Sequence, residues 1–321
     1  MRTAADMQAW QGRIDVEEGA AGRRWHQAMQ PLAEVSHPAL ALLGFACDAG
    51  VARNHGRVGA RHGPAALRAA LCNMPLHGGL QLTDAGDVHC SAGKSNDGLE
   101  AAQRELANAV TELLRSGHRP IVLGGGHEMA FGTYGGLAQF LGERDAAPRI
   151  GVLNLDAHFD LRAGASASSG TPFRQIAEDC QRRGWPFHYA CLGVSRFANT
   201  EALFDRAATL GVRWLLDEQM TAANTPQTNA LVADFLDGID HLYLTICLDV
   251  LPAAMAPGVS APAARGVTLE VIEPLIDLLA ASGKLRCADV AELNPQYDID
   301  QRTARVAARL IARLAERWST P

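Results

Sequence analysis

Three side chains of the kind that bind divalent metal ions follow one short apolar segment. Residues 150–153 read Ile-Gly-Val-Leu, and residues 154–160 continue as Asn-Leu-Asp-Ala-His-Phe-Asp. Alternate side chains of an extended chain share a side, so Asp156, His158 and Asp160 point to one face. The segment therefore predicts a buried strand with three hard ligands at its end.

Two further segments repeat this arrangement of an apolar strand followed by polar side chains. Residues 120–123 read Pro-Ile-Val-Leu and lead through three glycines to His127. Residues 241–246 read His-Leu-Tyr-Leu-Thr-Ile and lead to Cys247 and Asp249. Both segments have the length and composition of strands, and glycine or polar residues end them. Ligands of an open parallel α/β sheet lie beyond the carboxyl ends of its strands, so we expect these ends to meet at one crevice.

Together the segments offer a set of ligands suited to divalent first-row metals. The candidates are His127, Asp156, His158, Asp160, Cys247 and Asp249. A set rich in imidazole and carboxylate suits Mn²⁺ better than a thiolate-rich set does. So many candidates exceed what one ion normally takes from a protein, which favours two ions that share a bridging water or hydroxide. Each segment alone also fits a turn into a helix or a solvated strand end, but the three together favour a metal site.

The elements that must position these residues are those of an α/β protein. Further strands are predicted at 39–45, 82–88, 187–194, 212–215 and 285–292, with 82–88 at an edge. Helices are predicted at 63–71, 99–114, 269–282 and 301–318. Apolar residues recur at helical spacing in the longer helices. This alternation of elements predicts a mostly parallel central sheet, and neither an internal repeat nor a domain boundary interrupts it.

Composition and charge exclude several classes of protein. The chain has 321 residues, of which 48% are hydrophobic, enough for a large core. Its net charge of −6, from 29 basic and 35 acidic residues, gives no sign of a nucleic-acid or membrane partner. No stretch approaches the length of an apolar membrane span, and the first residues lack the apolar segment of a signal peptide. Seven widely spaced cysteines without a Cys-x-x-Cys pair favour a reduced, cytoplasmic protein.

Three irregular segments flank the predicted site. Residues 1–36 show little periodicity, and we expect an ordered arm or lid. Residues 48–63 carry Asn54, His55, Arg57, Arg61 and His62 ahead of a helix. This loop either lines an active-site mouth or holds an anion there, or it makes a surface connection. Residues 163–170 are all small, which is typical of a flexible linker, but their position directly after the candidate ligands favours a substrate loop.

The three metal segments, in this order, resemble the ureohydrolases, the arginase and agmatinase superfamily. The Glu-Leu-Asn-Pro sequence at 292–295 resembles the last motif of that superfamily, and residues 59–68 resemble an N-terminal one. Four segments are similar to its formimidoylglutamase branch, namely 10–15, 24–27, 169–175 and 257–262. The resemblance spans nearly the whole chain.

The resemblance implies a three-layer α/β/α arginase-like fold around a central, mostly parallel sheet. It implies a single domain over 1–321, with 1–36 as an N-terminal arm, that binds two Mn²⁺ ions per subunit. Relatives are often trimers or hexamers, so a homo-oligomer is expected. It further implies the following ligands: His127 and Asp160 on one ion, His158 and Asp249 on the other, and Asp156 as the bridge.

Cys247 departs from the superfamily pattern, which has a second bridging aspartate at its position. A carboxylate bridges two ions with two oxygens, whereas a thiolate offers one softer sulfur that favours Zn²⁺ over Mn²⁺. Three interpretations stay open: Cys247 binds a metal ion, it leaves one metal site poorly filled, or it is a small buried strand residue.

The branch that the chain resembles hydrolyses N-formimidoyl-L-glutamate to L-glutamate and formamide in histidine degradation, acting on the C–N bond of a linear amidine. We expect a metal-bound hydroxide to attack the formimidoyl carbon. Asp160 is the candidate proton relay to the leaving nitrogen, and Glu292 the partner of the amidinium-like N–H groups. Arg162, Arg174 and Arg196 are the nearest cations in sequence for the two substrate carboxylates.

Other functions remain open on the sequence. An agmatinase or another guanidino-acid hydrolase keeps the class and changes the substrate, although Ser169 stands where arginases have histidine. A catalytically weak relative results if Cys247 impairs the second metal. A serine or cysteine hydrolase is disfavoured, because no Gly-x-Ser-x-Gly elbow occurs and acidic neighbours disfavour a thiolate nucleophile.

Overall fold

The computed structural model describes residues 1–91 and 97–319. The strands are β1 (Arg2–Thr3), β2 (Met29–Pro31), β3 (Leu40–Ala46), β4 (Leu82–His89), β5 (Arg119–Leu123), β6 (Ile150–Leu155), β7 (His188–Val194), β8 (Arg213–Leu216), β9 (His241–Cys247) and β10 (Leu285–Ala291). The α-helices are α1 (Trp25–Ala28), α2 (Ala49–Arg53), α3 (Gly63–Cys72), α4 (Leu99–Arg115), α5 (Met129–Gly142), α6 (Pro172–Arg183), α7 (Glu201–Thr209), α8 (Thr225–Asp237), α9 (Leu269–Ala281) and α10 (Arg302–Ser319). None of the helices in these two ranges is long and apolar enough to cross a membrane.

All the strands belong to one sheet. Its order is β1-β4-β3-β5-β10-β9-β6-β7-β8, and β2 pairs with β4 beside this path. Among the described strands, only the pairing of β1 with β4 is antiparallel. Parallel strands need long crossover connections, which the helices between them provide. The predicted α/β fold with a mostly parallel central sheet is confirmed.

Helices cover both faces of the sheet, because its central strands are apolar on both sides. On β3, Leu42 packs in one core with α3, α8, α9 and α10, while Leu43 packs in the other with α4, α5 and α6. On β9, Leu244 and Tyr243 divide between the same two cores. Complete burial of one such leucine contributes about 1.5–3 kcal/mol to folding. The result is the three-layer α/β/α arrangement.

The centre of the sheet brings together strands that are distant in sequence. The order β5-β10-β9-β6 places the carboxyl ends of these four strands side by side. His127 follows β5, Asp156 follows β6, Cys247 ends β9 and Glu292 follows β10. Crevices at such strand ends are the usual ligand sites of open α/β sheets.

The N-terminal segment packs against the sheet. β1 and β2 both pair with β4, so residues 82–89 form an inner strand and not the predicted edge strand. Trp25 is fully buried, and the indole nitrogen of buried Trp10 donates to Asp84 Oδ2 at 2.7 Å. The expected loop at 48–63 also contains a short helix, α2.

Candidate metal centre

A turn of glycines carries the chain from β5 to His127. The backbone N–H of Gly125 donates to Phe45 O at 3.0 Å, and that of Gly126 donates to Cys47 O at 3.0 Å. A Cβ atom on Gly125 would lie 2.1 Å from Cys47 O, so only glycine lets the two backbones approach this closely. The turn therefore fixes His127 over the end of the neighbouring strand.

The His127 ring is buried and directed at carboxylates. Its Nδ1 lies 3.0 Å from Asp156 Oδ2 and 3.0 Å from Asp160 Oδ2. Within the described ranges, neither contact has hydrogen-bond geometry, and Nδ1 has no other partner. The opposite ring nitrogen, Nε2, lies 2.9 Å from Thr245 Oγ1, which holds the ring. A nitrogen lone pair directed at the same space as two carboxylates fits a metal ligand.

Asp156 lies between two groups of donors. Its Oδ1 accepts the backbone N–H of His158 at 2.7 Å, and its Oδ2 accepts from Asn154 Nδ2 at 3.0 Å. His158 Nδ1 lies 3.1 Å from Asp249 Oδ2. The donor atoms of Asp156, His158 and Asp249 all lie within 4.8 Å of one another, as do those of His127, Asp156 and Cys247.

The two groups fit a pair of divalent ions. Asp156 belongs to both groups, which is the position of a bridging ligand. The donors are imidazole and carboxylate with one thiol, a set that accepts Mn²⁺ and also thiophilic ions. Cys247 is buried, and burial raises the pKa of its thiol well above the usual range. Since metals bind thiolates, an ion must displace this proton for Cys247 to serve as a ligand.

Burial and crowding of like charge perturb the carboxylates. Burial opposes ionisation of Asp156, but the close imidazoles of His127 and His158 lower its pKa below the usual range. Burial and the Asp156 charge raise the pKa of Asp160 to about 6, and they also raise the pKa of Asp249. Divalent cations stabilise such a cluster by compensating its negative charge.

Glu292 faces the same crevice from the end of β10. Its Oε1 accepts the backbone N–H of His127 at 2.9 Å, whereas Oε2 is buried with no hydrogen-bond partner among the described residues. Burial raises the pKa of this carboxyl group to about 8. The backbone of Glu292 has φ +73°, and Asp160 and His55, which line the same cavity, have φ +48° and +59°. Such left-handed, non-glycine conformations cluster at functional sites.

A cavity of about 310 Å³ opens over these groups. Its lining residues are Asn54, His55, Gly56, Arg57, His127, His158, Asp160, Arg162, Ser169, Asn199, Leu203, Cys247, Asp249, Ser260, Ala261 and Glu292. Five of the six candidate ligands line it, the exception being fully buried Asp156, and residues from the 48–63 and 163–170 segments line it as well. Of the two interpretations of the 48–63 loop, the structure supports the active-site mouth.

The three predicted arginines have different positions. Arg162 lines the cavity, and its guanidinium makes no hydrogen bond or ion pair within the described chain. Arg174 donates to the carbonyls of Arg162 and Gly164 at 2.8 Å each, so it braces the loop. Arg196 is exposed in the turn after β7 and lies outside the cavity lining. The substrate-binding role of each remains a prediction.

Two supporting residues and one cation were not predicted as site residues. Thr245 holds the His127 ring, and Asn199 accepts from Phe159 N and donates to Ala157 O, which braces the ligand loop. Thr245 lies two residues before Cys247, so strand alternation places it on the ligand face and was a usable signal. Arg57 lines the cavity with its guanidinium 4.2 Å from the Tyr297 ring centre and without a carboxylate partner.

The chain belongs to the arginase family, whose model matches residues 38–316. It is 63% identical over 320 residues to the formimidoylglutamase of Ralstonia nicotianae, covering 98% of this chain and 97% of that protein. It is 54% identical over 314 residues to the formimidoylglutamase of Aromatoleum aromaticum, covering 97% and 92%. The crystal structure of a Trypanosoma cruzi formiminoglutamase variant with Mn²⁺ matches with a TM-score of 0.75 and 26% identity, covering 90% of this chain and 97% of that one. The resemblance to the arginase superfamily and its formimidoylglutamase branch is confirmed.

Proposed function

We propose that this chain hydrolyses N-formimidoyl-L-glutamate to L-glutamate and formamide. One observation carries the proposal. The same cavity is lined by several carboxylates and, at its mouth, by guanidiniums that have no carboxylate partner in the described chain. The lining carboxylates suit a cationic amidine and a metal pair, and the mouth suits the two carboxylates of the glutamate part. The similarity to formimidoylglutamases over nearly the full chain supports the same substrate.

The proposed cofactor is a pair of Mn²⁺ ions. His127 and Asp160 would hold one ion, and His158 and Asp249 would hold the other. Asp156 would hold both, and Cys247 lies beside His127 and Asp156. When bound, the ions supply Lewis acidity that activates water as a nucleophile near neutral pH. The Mn²⁺ in the Trypanosoma cruzi relative supports this choice.

Glu292 orients the amidine in this proposal. Its Oε1 is already used by the His127 N–H, so the unpartnered Oε2 is the atom available to the substrate. Burial raises the pKa of this carboxyl group to about 8, but a cationic amidinium beside it favours the ionised carboxylate. The resulting charge-assisted contact would turn the formimidoyl carbon towards the ligand cluster. Asp160, which lines the cavity, is the candidate to pass a proton to the leaving nitrogen.

Arg162 and Arg57 are the proposed partners of the substrate carboxylates. Both line the cavity, and neither has an acidic partner in the described chain. The Arg57 guanidinium donates to the carbonyl of Ser260 at 3.0 Å, whereas that of Arg162 makes no hydrogen bond or ion pair with the residues that the structure describes. Agmatine carries a cationic amine in place of these carboxylates, so like charge at the mouth disfavours it.

A pair of matched variants tests this assignment. Arg162→Met removes a cavity cation, whereas Arg196→Met removes an exposed cation outside the cavity. We expect KM for formimidoylglutamate to rise about 10- to 100-fold in the first variant, the scale of a lost charged hydrogen bond. The second variant should behave as the unmodified protein. An unchanged KM for Arg162→Met, or an equal rise in both variants, would contradict the role.

We further propose one domain over 1–321 that forms homo-oligomers in the cytoplasm. The single sheet includes strands from the 1–36 arm, which supports one folding unit. The side chain of Phe197 is 94% exposed, which suits burial in a subunit contact. Seven free cysteines, all in the described ranges, suit a reducing compartment. Light scattering of the purified protein tests the assembly, and a monomeric mass would overturn it.

A further inference from the structure

Two cysteines outside the metal centre face each other at the ends of neighbouring strands. β3 and β4 run parallel with Phe45 opposite Val88 and Ala46 opposite His89, so the next pair is Cys47 and Cys90. The ladder continues there, because Cys90 N donates to Ala46 O at 3.5 Å. Adjacent strands lie about 4.7–4.9 Å apart, within the Cα separation that a disulfide spans.

The two thiols are unequally accessible and unequally reactive. Cys47 is 1% exposed, whereas Cys90 is only partly buried. The adjacent Cys47 side chain lowers the pKa of Cys90, and the guanidiniums of Arg61 and Arg53 add to this effect, whereas burial and the Asp97 carboxylate oppose it without reversing it. A partly exposed thiol beside cations is the kind that oxidants attack first, and a buried neighbour is placed to resolve the product.

We propose that Cys47 and Cys90 form a reversible disulfide, a redox modification site that controls the neighbouring metal centre. With hydrogen peroxide as the oxidant, the Cys90 thiolate attacks one peroxide oxygen, the O–O bond breaks, and protonation releases water and leaves a sulfenic acid on Cys90. The Cys47 sulfur then attacks the Cys90 sulfur, and the S–O bond breaks with loss of a second water. The pair loses two electrons to the peroxide, and a dithiol reductant restores both thiols.

The backbone of Cys47 links this pair to the first metal ligand. Cys47 O accepts the N–H of Gly126, the residue before His127, at 3.0 Å. Closing an S–S bond of about 2.05 Å fixes the relative positions of the two side chains and so constrains the backbone of Cys47. The turn is hydrogen-bonded to this strand end, since Gly125 N donates to Phe45 O and Gly126 N donates to Cys47 O at 3.0 Å each, so a shift of Cys47 reaches the turn.

A second connection runs from Cys90 to the cavity mouth. Cys90 Sγ donates to Asp97 O at 3.0 Å, and a disulfide removes this hydrogen bond. The Asp97 carboxylate pairs with Arg53 at 2.7 Å, and Arg53 also donates to Ala167 O at 2.9 Å. Oxidation therefore disturbs both the metal turn and the 163–170 loop.

The test exposes the Mn²⁺-loaded, full-length protein to graded hydrogen peroxide. Free thiols are counted, disulfide peptides are mapped by mass spectrometry, and bound Mn²⁺ is measured. We expect loss of two thiols per chain, a Cys47–Cys90 cross-linked peptide, and Mn²⁺ affinity lower by about tenfold, the scale seen when groups that support a ligand are disturbed. A dithiol reductant should reverse all three changes.

Cys90→Ser should retain its Mn²⁺ under the same peroxide and form no cross-link. Cys72→Ser is the matched control, since Cys72 is a buried free thiol that donates to Ala9 O, and it should respond as the unmodified protein. Cys47→Ala replaces Cys90→Ser if the latter fails to fold. Absence of the cross-linked peptide, or equal Mn²⁺ loss in Cys90→Ser, would overturn the proposal. None of these readouts depends on the substrate, so failure here is separate from failure of the proposed function.

Discussion

Asp156 is the residue on which both halves of the candidate metal centre depend. Its two oxygens face His127 and His158 from opposite sides. We predict that Asp156→Asn lowers the affinity for Mn²⁺ at both positions by more than about 100-fold. Loss of a group that only supports a metal ligand already lowers metal affinity 10- to 100-fold. Metal content after Mn²⁺ loading and dialysis measures this. Asp240→Asn, which changes an exposed partner of Arg149, is the control and should leave two ions per chain.

We predict that Cys247 influences which metal ion the group of His127, Asp156 and Cys247 prefers. A single thiolate sulfur favours Zn²⁺, whereas a carboxylate favours Mn²⁺ and can bridge with two oxygens. We predict that Cys247→Asp raises the ratio of Mn²⁺ to Zn²⁺ affinity and that Cys247→Ala leaves Mn²⁺ binding at the second group intact. Competition dialysis with both ions measures the ratio. An unchanged ratio in Cys247→Asp would mean that the Cys247 side chain does not contact the ion.

Glu292 has one oxygen committed to the protein and one directed at the cavity. Glu292→Gln keeps an acceptor for the His127 N–H but loses the charge that pairs with an amidinium. We predict a fall in kcat/KM for formimidoylglutamate of about 10- to 100-fold, equivalent to about 1.5–3 kcal/mol for a charged hydrogen bond. The thermal unfolding midpoint should change little. Intact turnover in this variant would remove Glu292 from substrate binding.

At the residue scale, strand alternation does not explain how the ligands meet, because β6 ends at Leu155 and Asp160 has a left-handed backbone with φ +48°. Asp156 Oδ2 and Asp160 Oδ2 nevertheless each lie 3.0 Å from the same nitrogen, Nδ1 of His127. The sequence alone could not decide which arginine faces the substrate carboxylates, because this depends on how the 163–170 loop folds back. Arg57 comes from a segment far from the ligands in sequence, so only tertiary structure brings it to the cavity.

The glycine turn after β5 is the element that sets the position of His127. A Cβ atom at Gly125 would meet backbone oxygens at 2.1 and 2.5 Å, whereas one at Gly79 would meet no atom within 4 Å. We predict that Gly125→Ala lowers the free energy of unfolding by about 1–3 kcal/mol through overpacking and also weakens Mn²⁺ binding. Gly79→Ala should do neither. Denaturant unfolding with metal titration compares the two, and equal behaviour would contradict the role of the turn.

The loop that carries the cavity mouth depends on Asp48. Burial opposes its ionisation, but hydrogen bonds from Arg61 and from the Gly59 N–H outweigh burial and lower its pKa below 3.8. Because the folded-state pKa is lower than the unfolded one, this stabilisation is complete above pH 3.8 and disappears as pH falls through the folded value. The mouth is therefore expected to loosen in acid.

We predict that Asp48→Asn destabilises the protein by about 1–3 kcal/mol near neutral pH, because donors lose a charged acceptor. The difference from the unmodified protein should shrink towards zero in acid below the folded-state pKa of Asp48. Urea unfolding followed over this pH range measures it. A difference that stays constant with pH would assign the stabilisation to shape and not to charge.

Element prediction succeeded for strongly patterned segments and failed for short ones. The predicted strand at 285–292 and helix at 99–114 agree with β10 (Leu285–Ala291) and α4 (Leu99–Arg115) within one residue at each end. β1 and β2 have only two and three residues, too few to show an alternation, and they exist because β4 offers them hydrogen-bonding partners. Helix α2 is likewise short and rests on contacts such as Gly50 N to Glu128 Oε1 at 2.8 Å.

At the scale of the whole molecule, the site exists because the order of the strands in the sheet differs from their order along the chain. β5, β6, β9 and β10 are separated along the chain but adjacent in space, and their ends form the cavity floor. Local patterns predict that strands exist, whereas strand order depends on how crossovers pack, which no single segment encodes. The sequence therefore predicted one crevice but left the 48–63 loop open between a mouth and a surface connection, because the loops that line the mouth meet only in the folded structure.

The most direct test of formimidoylglutamate hydrolysis is a substrate panel on protein reconstituted with Mn²⁺. The panel compares formimidoylglutamate, arginine, agmatine and 4-guanidinobutyrate by product release, with metal content measured on the same samples. We expect consumption of formimidoylglutamate alone, with L-glutamate and formamide formed in equal amounts. Preferential turnover of a guanidino compound, or no turnover by protein that holds both ions, would contradict the proposed function.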